Sequence, residues 1–352
     1  MATLFENITL SPENLASIRD AVQATLYETQ RLTDCITLHK VKNNDPIAVI
    51  GGFDIVGKEG AGCDPTYIEK GIANSMQRWI LGNWNIPLKV CYESVKGTIG
   101  EYALNNGTAI ADLSDTDIMT IYTQMLVKAM ESMIWRFAWL GDKDAKNVSA
   151  GGKITNGVDT AYYTTCDGLF KRIFTICTAA TKQRTTISAN EEATYNAQRS
   201  KMLEDGYATK LIDTLLMDAD SRIVDDEDAV LLVTRGLADA LTNDVKRTYK
   251  TIMPWEAVSD GFEQTKYGGV TIVKVSTWDR LIASGEKSGE KVNLPFRAVF
   301  ANPRQLMVGT NADALISDLD IWFSKKERRN YIYSTGQIGT AILESDMIHA
   351  AY

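Results

Sequence analysis

Ser114–Gly141, SDTDIMTIYTQMLVKAMESMIWRFAWLG, is the longest uninterrupted helical signal in the chain, and the fold is read outward from it. Ser114 can act as N-cap, and Asp117 three residues on completes a variant of the capping box, so open N–H groups of the first turn find acceptors. Ile118, Ile121, Tyr122, Met125, Leu126 and Ala129 recur at three- and four-residue steps, and Met133, Ile134, Phe137 and Leu140 continue the stripe. Neither Gly nor Pro interrupts it, and Gly141 supplies the stop. A helix over 115–140 is roughly 40 Å long at about 1.5 Å per residue, long enough to be a spine. Its apolar surface is wider than one face. Met119, Met130, Trp135 and Trp139 leave apolar surface elsewhere on the cylinder.

The rest of the chain, 352 residues with 45% hydrophobic and 23% charged side chains, supplies enough apolar material for one large core or two modest ones. A net charge of −8 argues against a protein whose main work is gripping nucleic-acid phosphate, which needs clustered Lys and Arg. No N-terminal run reads as a signal peptide, and no stretch approaches the ~20 apolar residues of a membrane span, so a soluble, unsecreted protein is expected. Cys35, Cys63, Cys91, Cys166 and Cys177 are widely spaced with no C-x-x-C pair and read as reduced, mostly buried thiols. The two histidines, His39 and His349, sit at opposite ends of the sequence, neither near a second metal ligand.

N-terminal to the spine, Ser11-Pro12-Glu13 starts a helix running to about Thr33. ITLHKV and PIAVIGGF, separated by the turn-rich KNNDP, read as a hairpin, and DIVGKEGAGCDP as a Gly-rich loop that acquires its partners from outside the chain. A second helical piece is expected from Pro65 to about Leu81, then a strand at IPLKVCYESV. C-terminal to the spine, DKDAKNVSAGGKITNGVDTAYY is a polar connection and marks a domain boundary. Helices follow from Asp167 to about Ala180 and from Asn190 through Leu216. AVLLVT is a strand, RGLADALTNDVKRTY a helix, GGVTIVKVSTWD a strand, and PFRAVFANPRQLMVGT two strands broken at Asn302-Pro303. Strands alternating with helices make this part a mixed α/β domain, and the last forty residues read as extended chain.

Gly52-Phe-Asp-Ile-Val-Gly57-Lys58 begins as a phosphate-cradling loop does. Glu59 stands where the magnesium-binding hydroxyl belongs, and Gly60-Ala61-Gly62-Cys63-Asp64-Pro65 cannot open the helix that should receive the phosphate. A flexible hairpin is the better reading; a nucleotide-binding enzyme would show magnesium-dependent ATP binding lost in Lys58→Ala. Asp218, Asp220 and Asp225–Asp228 lack the alternation and central Gly of a calcium loop and read as a solvated acidic loop. Lys325, Lys326, Arg328 and Arg329, with Glu327 among them, read as an ordinary surface or subunit salt-bridge patch. Trp135 and Trp139, four apart, suit packing better than a cofactor box.

Taken together, IADLSDTDIMTIYTQMLVKAMESMIWRFAWLGDKD resembles the spine helix and following Gly turn of the major capsid proteins of tailed double-stranded DNA phages, the Hong Kong-type coat fold. CDGLFKRIFT resembles the helix that opens that family's axial domain, and PFRAVFANPRQLMVGTN through ISDLDIWFSKKERRNYIYSTGQIGTAIL its C-terminal third. The resemblance implies an α+β fold with an N-terminal arm at 1–35, an extended hairpin loop at 36–81, a peripheral domain at 82–159 and 311–352 built on spine helix 115–140, and an axial α/β domain at 160–310. It implies a structural protein that self-assembles into hexamers and pentamers of an icosahedral shell enclosing phage double-stranded DNA, so that part of the spine surface carrying Met119, Met130, Trp135 and Trp139 is expected to face a neighbouring subunit and Met130→Asp to leave a folded chain that fails to assemble. No catalytic, cofactor-binding or metal residues are assigned, and no cofactor. Implied partners are copies of the chain itself, scaffold and portal proteins and a decoration protein, with no membrane and no sequence-specific DNA contact. The implied location is the virion capsid, and the host cytoplasm during assembly. With no long scaffolding region ahead of the arm, a separate scaffold or earlier cleavage is implied. Lys58 is similar to the lysine of the family's rare Lys–Asn cross-link, but no cross-link is assigned. A cellular nanocompartment shell of the same fold is the nearest alternative, separated by whether the contents are DNA or an enzyme.

Overall fold

The computed structural model describes residues 35–50, 74–91, 126, 128–259, 262–311, 318–324, 326–327 and 329–352. The expected N-terminal helix, the Gly52–Lys58 loop and the first half of the spine helix lie outside them. Along the chain, β1 is Thr37–Lys40, β2 Pro46–Ile50, β3 Asn74–Arg78 and β4 Gly82–Cys91. The spine helix, α1, is described at 128–140 and followed by α2 (Leu169–Ala179) and the short β5 (Arg184–Thr185). Helices α3 (Tyr195–Met202), α4 (Tyr207–Asp218) and α5 (Ser221–Val224) lead to β6 (Val230–Val233) and α6 (Arg235–Tyr249). Strands β7 (Glu256–Ser259), β8 (Phe262–Tyr267) and β9 (Val270–Val275) precede α7 (Ser276–Gly285). A small hairpin, β10 (Lys287–Ser288) and β11 (Lys291–Val292), is followed by β12 (Ala298–Ala301), β13 (Leu306–Thr310), β14 (Asp318–Ser324), β15 (Arg329–Ile342) and β16 (Ile348–Ala351).

Two large sheets organise these elements. In the five-stranded sheet β13 and β14 pair successive parts of the long β15, β4 lines the other side of β15, and β1 runs parallel to β13. The seven-stranded sheet has the order β5-β16-β12-β6-β9-β8-β7. Its strands β6, β12 and β16 read as short apolar runs because both faces are covered. Leu232, Val299, Ile348 and Ala350 face α1, α2 and α7, while Leu231, Val233, Phe300 and Ala298 face α3, α4 and α6.

The end of α1 is the joint between the sheets. Trp135 lies 5.7 Å from Phe262 of β8, and Trp139, Phe170 and Trp278 form a triangle with ring centroids 4.5–5.1 Å apart. One core therefore runs unbroken from Trp84, Val308 and Ile338 of the five-stranded sheet to Leu232 and Val299 of the seven-stranded one. The last turn, Arg136–Leu140, widens into a π-helix, and Phe137, Ala138, Trp139 and Leu140 are all buried. Four consecutive buried residues exceed any single helical face, so this turn is surrounded by packing on all sides. The expectation that Met130, Trp135 and Trp139 face a neighbour is corrected: all three are at most 2% exposed inside the chain's own core. Met119 lies outside the described residues.

Gly141 does more than stop the helix. Its φ is −54°, which any residue adopts; what excludes a side chain is the crossing chain, since a Cβ would sit 2.5 Å from the Cys166 carbonyl oxygen. Gly168 is its counterpart, its N–H donating to the Gly141 carbonyl at 2.8 Å while a Cβ there would lie 2.7 Å from the Gly141 nitrogen. Lys171 of α2 fixes the crossing through Asp142, Asp144 and Asp167 at 2.7, 2.7 and 2.8 Å. Although burial raises the Asp142 and Asp167 pKa values, the Lys171 ammonium outweighs it and holds both carboxyls below their ordinary range.

Four expectations are corrected. ITLHKV does not pair with PIAVIGGF: β1 joins the five-stranded sheet, KNNDP turns a corner with Asn44 at φ 73°, and β2 pairs antiparallel with β3. Residues 74–78, expected as helix, are that β3, because pairing with β2 overrides the helix propensity of Met, Gln and Arg. The helical run from Asn190 to Leu216 is two helices, broken at Gly206 with φ 74°, where buried Asp244 accepts from the Ala208 and Thr209 N–H groups at the start of α4. The strand GGVTIVKVSTWD ends at Val275, and α7 begins with Ser276. The sheets also cross the sequence boundary at 310/311. β13 belongs to the sheet of β15, whereas β16 closes the seven-stranded sheet beside β12 and β5.

Candidate assembly surfaces

The residues offering chemistry are mostly spent on structure. Asp220 caps α5 and pairs with Arg222 at 2.9 Å, Asp226 accepts from Asn302 at 2.6 Å, and Asp228 meets Arg304 at 3.2 Å, so the acidic run ties loops rather than converging on an ion. Among the described residues no group of three or more His, Cys, Asp and Glu is arranged to hold a metal. No described helix is long and apolar enough to cross a membrane. His39 lies beside Trp79, with ring centroids 6.2 Å apart, whereas His349 is buried against the Thr185 hydroxyl at 2.8 Å. Cys35, Cys166 and Cys177 are buried, and burial pushes the Cys166 thiol up to about 12 and that of Cys177 to about 11. Such thiols are poor nucleophiles. Of the basic cluster, Lys326 and Glu327 form the β14–β15 turn, where the Tyr331 hydroxyl donates to Glu327; Lys325 and Arg328 lie outside the described residues.

Sequence reasoning missed the buried ion pair of Arg297 and Glu286, 2% and 0% exposed at the side chain. Arg297 also stacks over Phe170 at 4.6 Å, and Lys153 approaches the other Glu286 oxygen at 3.5 Å. Burial alone would raise the Glu286 pKa, but Arg297 first and Lys153 second hold it below the carboxylate range. A carboxylate so fixed is a structural charge, without the raised pKa of a general acid.

What remains outward-facing is shaped for contact. The β2–β3 hairpin is rooted on the outer face of the five-stranded sheet, where Ile47 and Trp79 pack against Met307 and Ala341. Gly309 and Gly339, directly opposite one another in β13 and β15, make the seat. A Cβ on Gly309 would lie 2.6 Å from the Trp79 ring, and one on Gly339 2.6 Å from the Ile80 carbonyl oxygen. Backbone bonds Asn44 N–H to Trp79 O at 2.8 Å and Trp79 N–H to Asp45 O at 3.0 Å lock the root.

Further along the same sheet, β14, β15 and β4 form a wing. One face carries Trp84, Ile86 and Ile332 toward α1, and the other presents Trp322 stacked on Tyr331 at 5.4 Å beside exposed Tyr333, Pro87 and Lys89. A hollow of about 410 Å³ near Asn83, Asn85, Tyr333 and Gln337 offers amides and a phenol but no charged group.

Searches by sequence find no matching family model and no matching curated protein. By structure, the chain superposes on a chain of the satellite phage P4 procapsid, whose assembly includes a size determination protein, over 95% of this chain and 98% of that one, with TM-score 0.52 and 12% identity. The fold is the Hong Kong-type capsid fold. Other similar structures are the capsid of a native GTA particle (92% and 89% coverage, TM-score 0.49, 10% identity) and the SrpI encapsulin complex of Synechococcus elongatus (100% and 90%, 0.46, 10%). In Hong Kong-type terms the expected α+β class and the Gly turn behind the spine helix have their counterparts in this chain.

Proposed function

We propose that this chain is the major capsid protein of a tailed double-stranded DNA phage, a structural subunit without catalytic activity that assembles into hexamers and pentamers of an icosahedral shell. The observation that carries the reading is the superposition on a procapsid chain over nearly the whole length of both. A net charge of −8 suits a wall that encloses DNA without gripping it, and the polar groups at hand serve folding rather than chemistry. In this reading the five-stranded sheet, its hairpin and the spine helix are the peripheral part, and the seven-stranded sheet with its helices the axial part. Residues 1–35 are the arm, and 36–81 carry the extended loop over a neighbour. Scaffold, portal and decoration proteins are the further partners, and the protein resides in the virion after assembly in the host cytoplasm. Because each subunit repeats its contacts many times, individually modest interfaces give a durable closed particle.

Electron microscopy of the expressed chain, alone and with its scaffold, tests this. Rings or megadalton shells are expected; a stable monomer or dimer under every assembly condition, scaffold included, overturns it.

A further inference from the structure

Beyond the hairpin seat at Gly339, every second residue of β15 continues the same outer face, as Gln337, Thr335, Tyr333 and Tyr331. The register sets Asn83 against Gln337, Asn85 against Thr335 and, on β14, Trp322 against Tyr331. Trp84 and Gly336, paired between the two polar rows, leave backbone as the floor of the hollow of about 410 Å³. Its walls are amides, a hydroxyl and a phenol. Gln337 Nε2 donates to Asn83 Oδ1 at 2.8 Å, which leaves the Gln337 Oε1 acceptor and the Asn83 Nδ2 donors without a partner among the described residues. The side chains of Asn85, Thr335 and Tyr333 are likewise without one among the described residues. At the far end Trp322 stacks on Tyr331 with 9° between the ring planes, yet Trp322 stays 43% exposed, and Tyr333 is 37% exposed. From Tyr331 to Gln337 the strip runs about 20 Å. No charged residue lines the hollow. Around it, Lys89 is opposite Tyr331, Asp318 and Asp320 are opposite Thr335 and Tyr333, and Lys326, Glu327 and Arg329 follow at the turn beyond Trp322, so among the described residues the two signs balance.

Neutral amides that both donate and accept within a few residues of one another match a ligand whose every hydroxyl does the same, and exposed ring faces match the C–H faces of a pyranose. An apolar segment laid here would leave the amides unpaired, and a phosphate would meet no cation in the hollow. We propose that this strip binds a neutral oligosaccharide with an extended backbone, such as a cello- or chito-oligosaccharide, one sugar seated among Asn83, Asn85 and Gln337 and the chain running along β15 toward Trp322. The site is independent of the shell reading above, because it needs only this face of one copy.

Isothermal titration of the purified full-length chain with cellopentaose and with chitopentaose tests it. Binding of at least one with a Kd below about 1 mM is expected. Asn85→Ala with Gln337→Ala should weaken it more than about tenfold, and Trp322→Ala should weaken it as well, with melting temperatures near wild type. Asn85→Ala alone, at an exposed position, should weaken binding about threefold or more and decides the matter if the double variant unfolds. A hyaluronan hexasaccharide, extended but anionic, should bind at least about tenfold more weakly than the neutral probe. No binding of either neutral probe at about 5 mM, an affinity unchanged in the folded Asn85 variants, or equal affinity for hyaluronan overturns the proposal.

Discussion

Glu286 lies where a change of one atom type has a large effect. Gln there leaves the Arg297 guanidinium, 2% exposed and stacked on Phe170, without its counter-charge. Breaking a buried pair on one side costs about 3–5 kcal/mol, so Glu286→Gln should lower the urea midpoint of the unassembled subunit sharply, and adding Arg297→Met should recover much of the loss. His349 sets an acid limit. Burial holds its imidazole below the ordinary range, only partly opposed by Asp218, and its Nε2 lies against Thr185. The folded state keeps it neutral while the unfolded chain takes up a proton below about pH 6.5, so its contribution is complete above that pH and declines as pH falls toward the folded value. The drop in melting temperature from pH 7 to pH 5 should therefore be smaller in His349→Gln than in wild type; equal drops would exclude His349 as the cause.

Among the elements, the hairpin root and the spine helix make distinct demands. Gly309→Ala forces a methyl into the Trp79 ring and Val41. Overpacking of this kind costs about 1–3 kcal/mol, and here it should be local: Trp79 fluorescence shifts and protease cuts within 51–73 come faster, while the seven-stranded sheet keeps its hydrogen-exchange protection. Met130 is 0% exposed, so Met130→Asp buries an unpaired carboxylate and should yield an insoluble or molten subunit rather than a folded one defective in assembly. A cooperatively folded Met130→Asp subunit would return that residue to the surface. The spine was legible as a helix because its stripe is uninterrupted, and α6 was legible residue for residue because RGLADALTNDVKRTY is bounded by a strand and a basic last turn. The hairpin was misread since β1 and β2 are adjacent in sequence, while their partners β13 and β3 lie at 306–310 and 74–78.

For the whole molecule, continuity of the core matters most. The end of α1 packs against both large sheets, and Trp139, Phe170 and Trp278 sit where they meet. The unassembled subunit should therefore unfold in a single calorimetric transition in which neither sheet melts alone; two resolved transitions would mean that the joint is weak.

Composition, periodicity and turn residues determined by themselves that the chain has a helix ending at Leu140, a Gly turn behind it, a mixed α/β part and an extended C-terminal part. These are local properties, set by residues within a few turns of one another. Only the tertiary structure decided which strand joins which sheet, that Met130, Trp135 and Trp139 face inward, and that Gly141 is required by Gly168 crossing above it. Those outcomes depend on partners tens to hundreds of residues away, as when β1 pairs with β13 or Arg297 stacks over Phe170, and no window of sequence contains both members of such a pair.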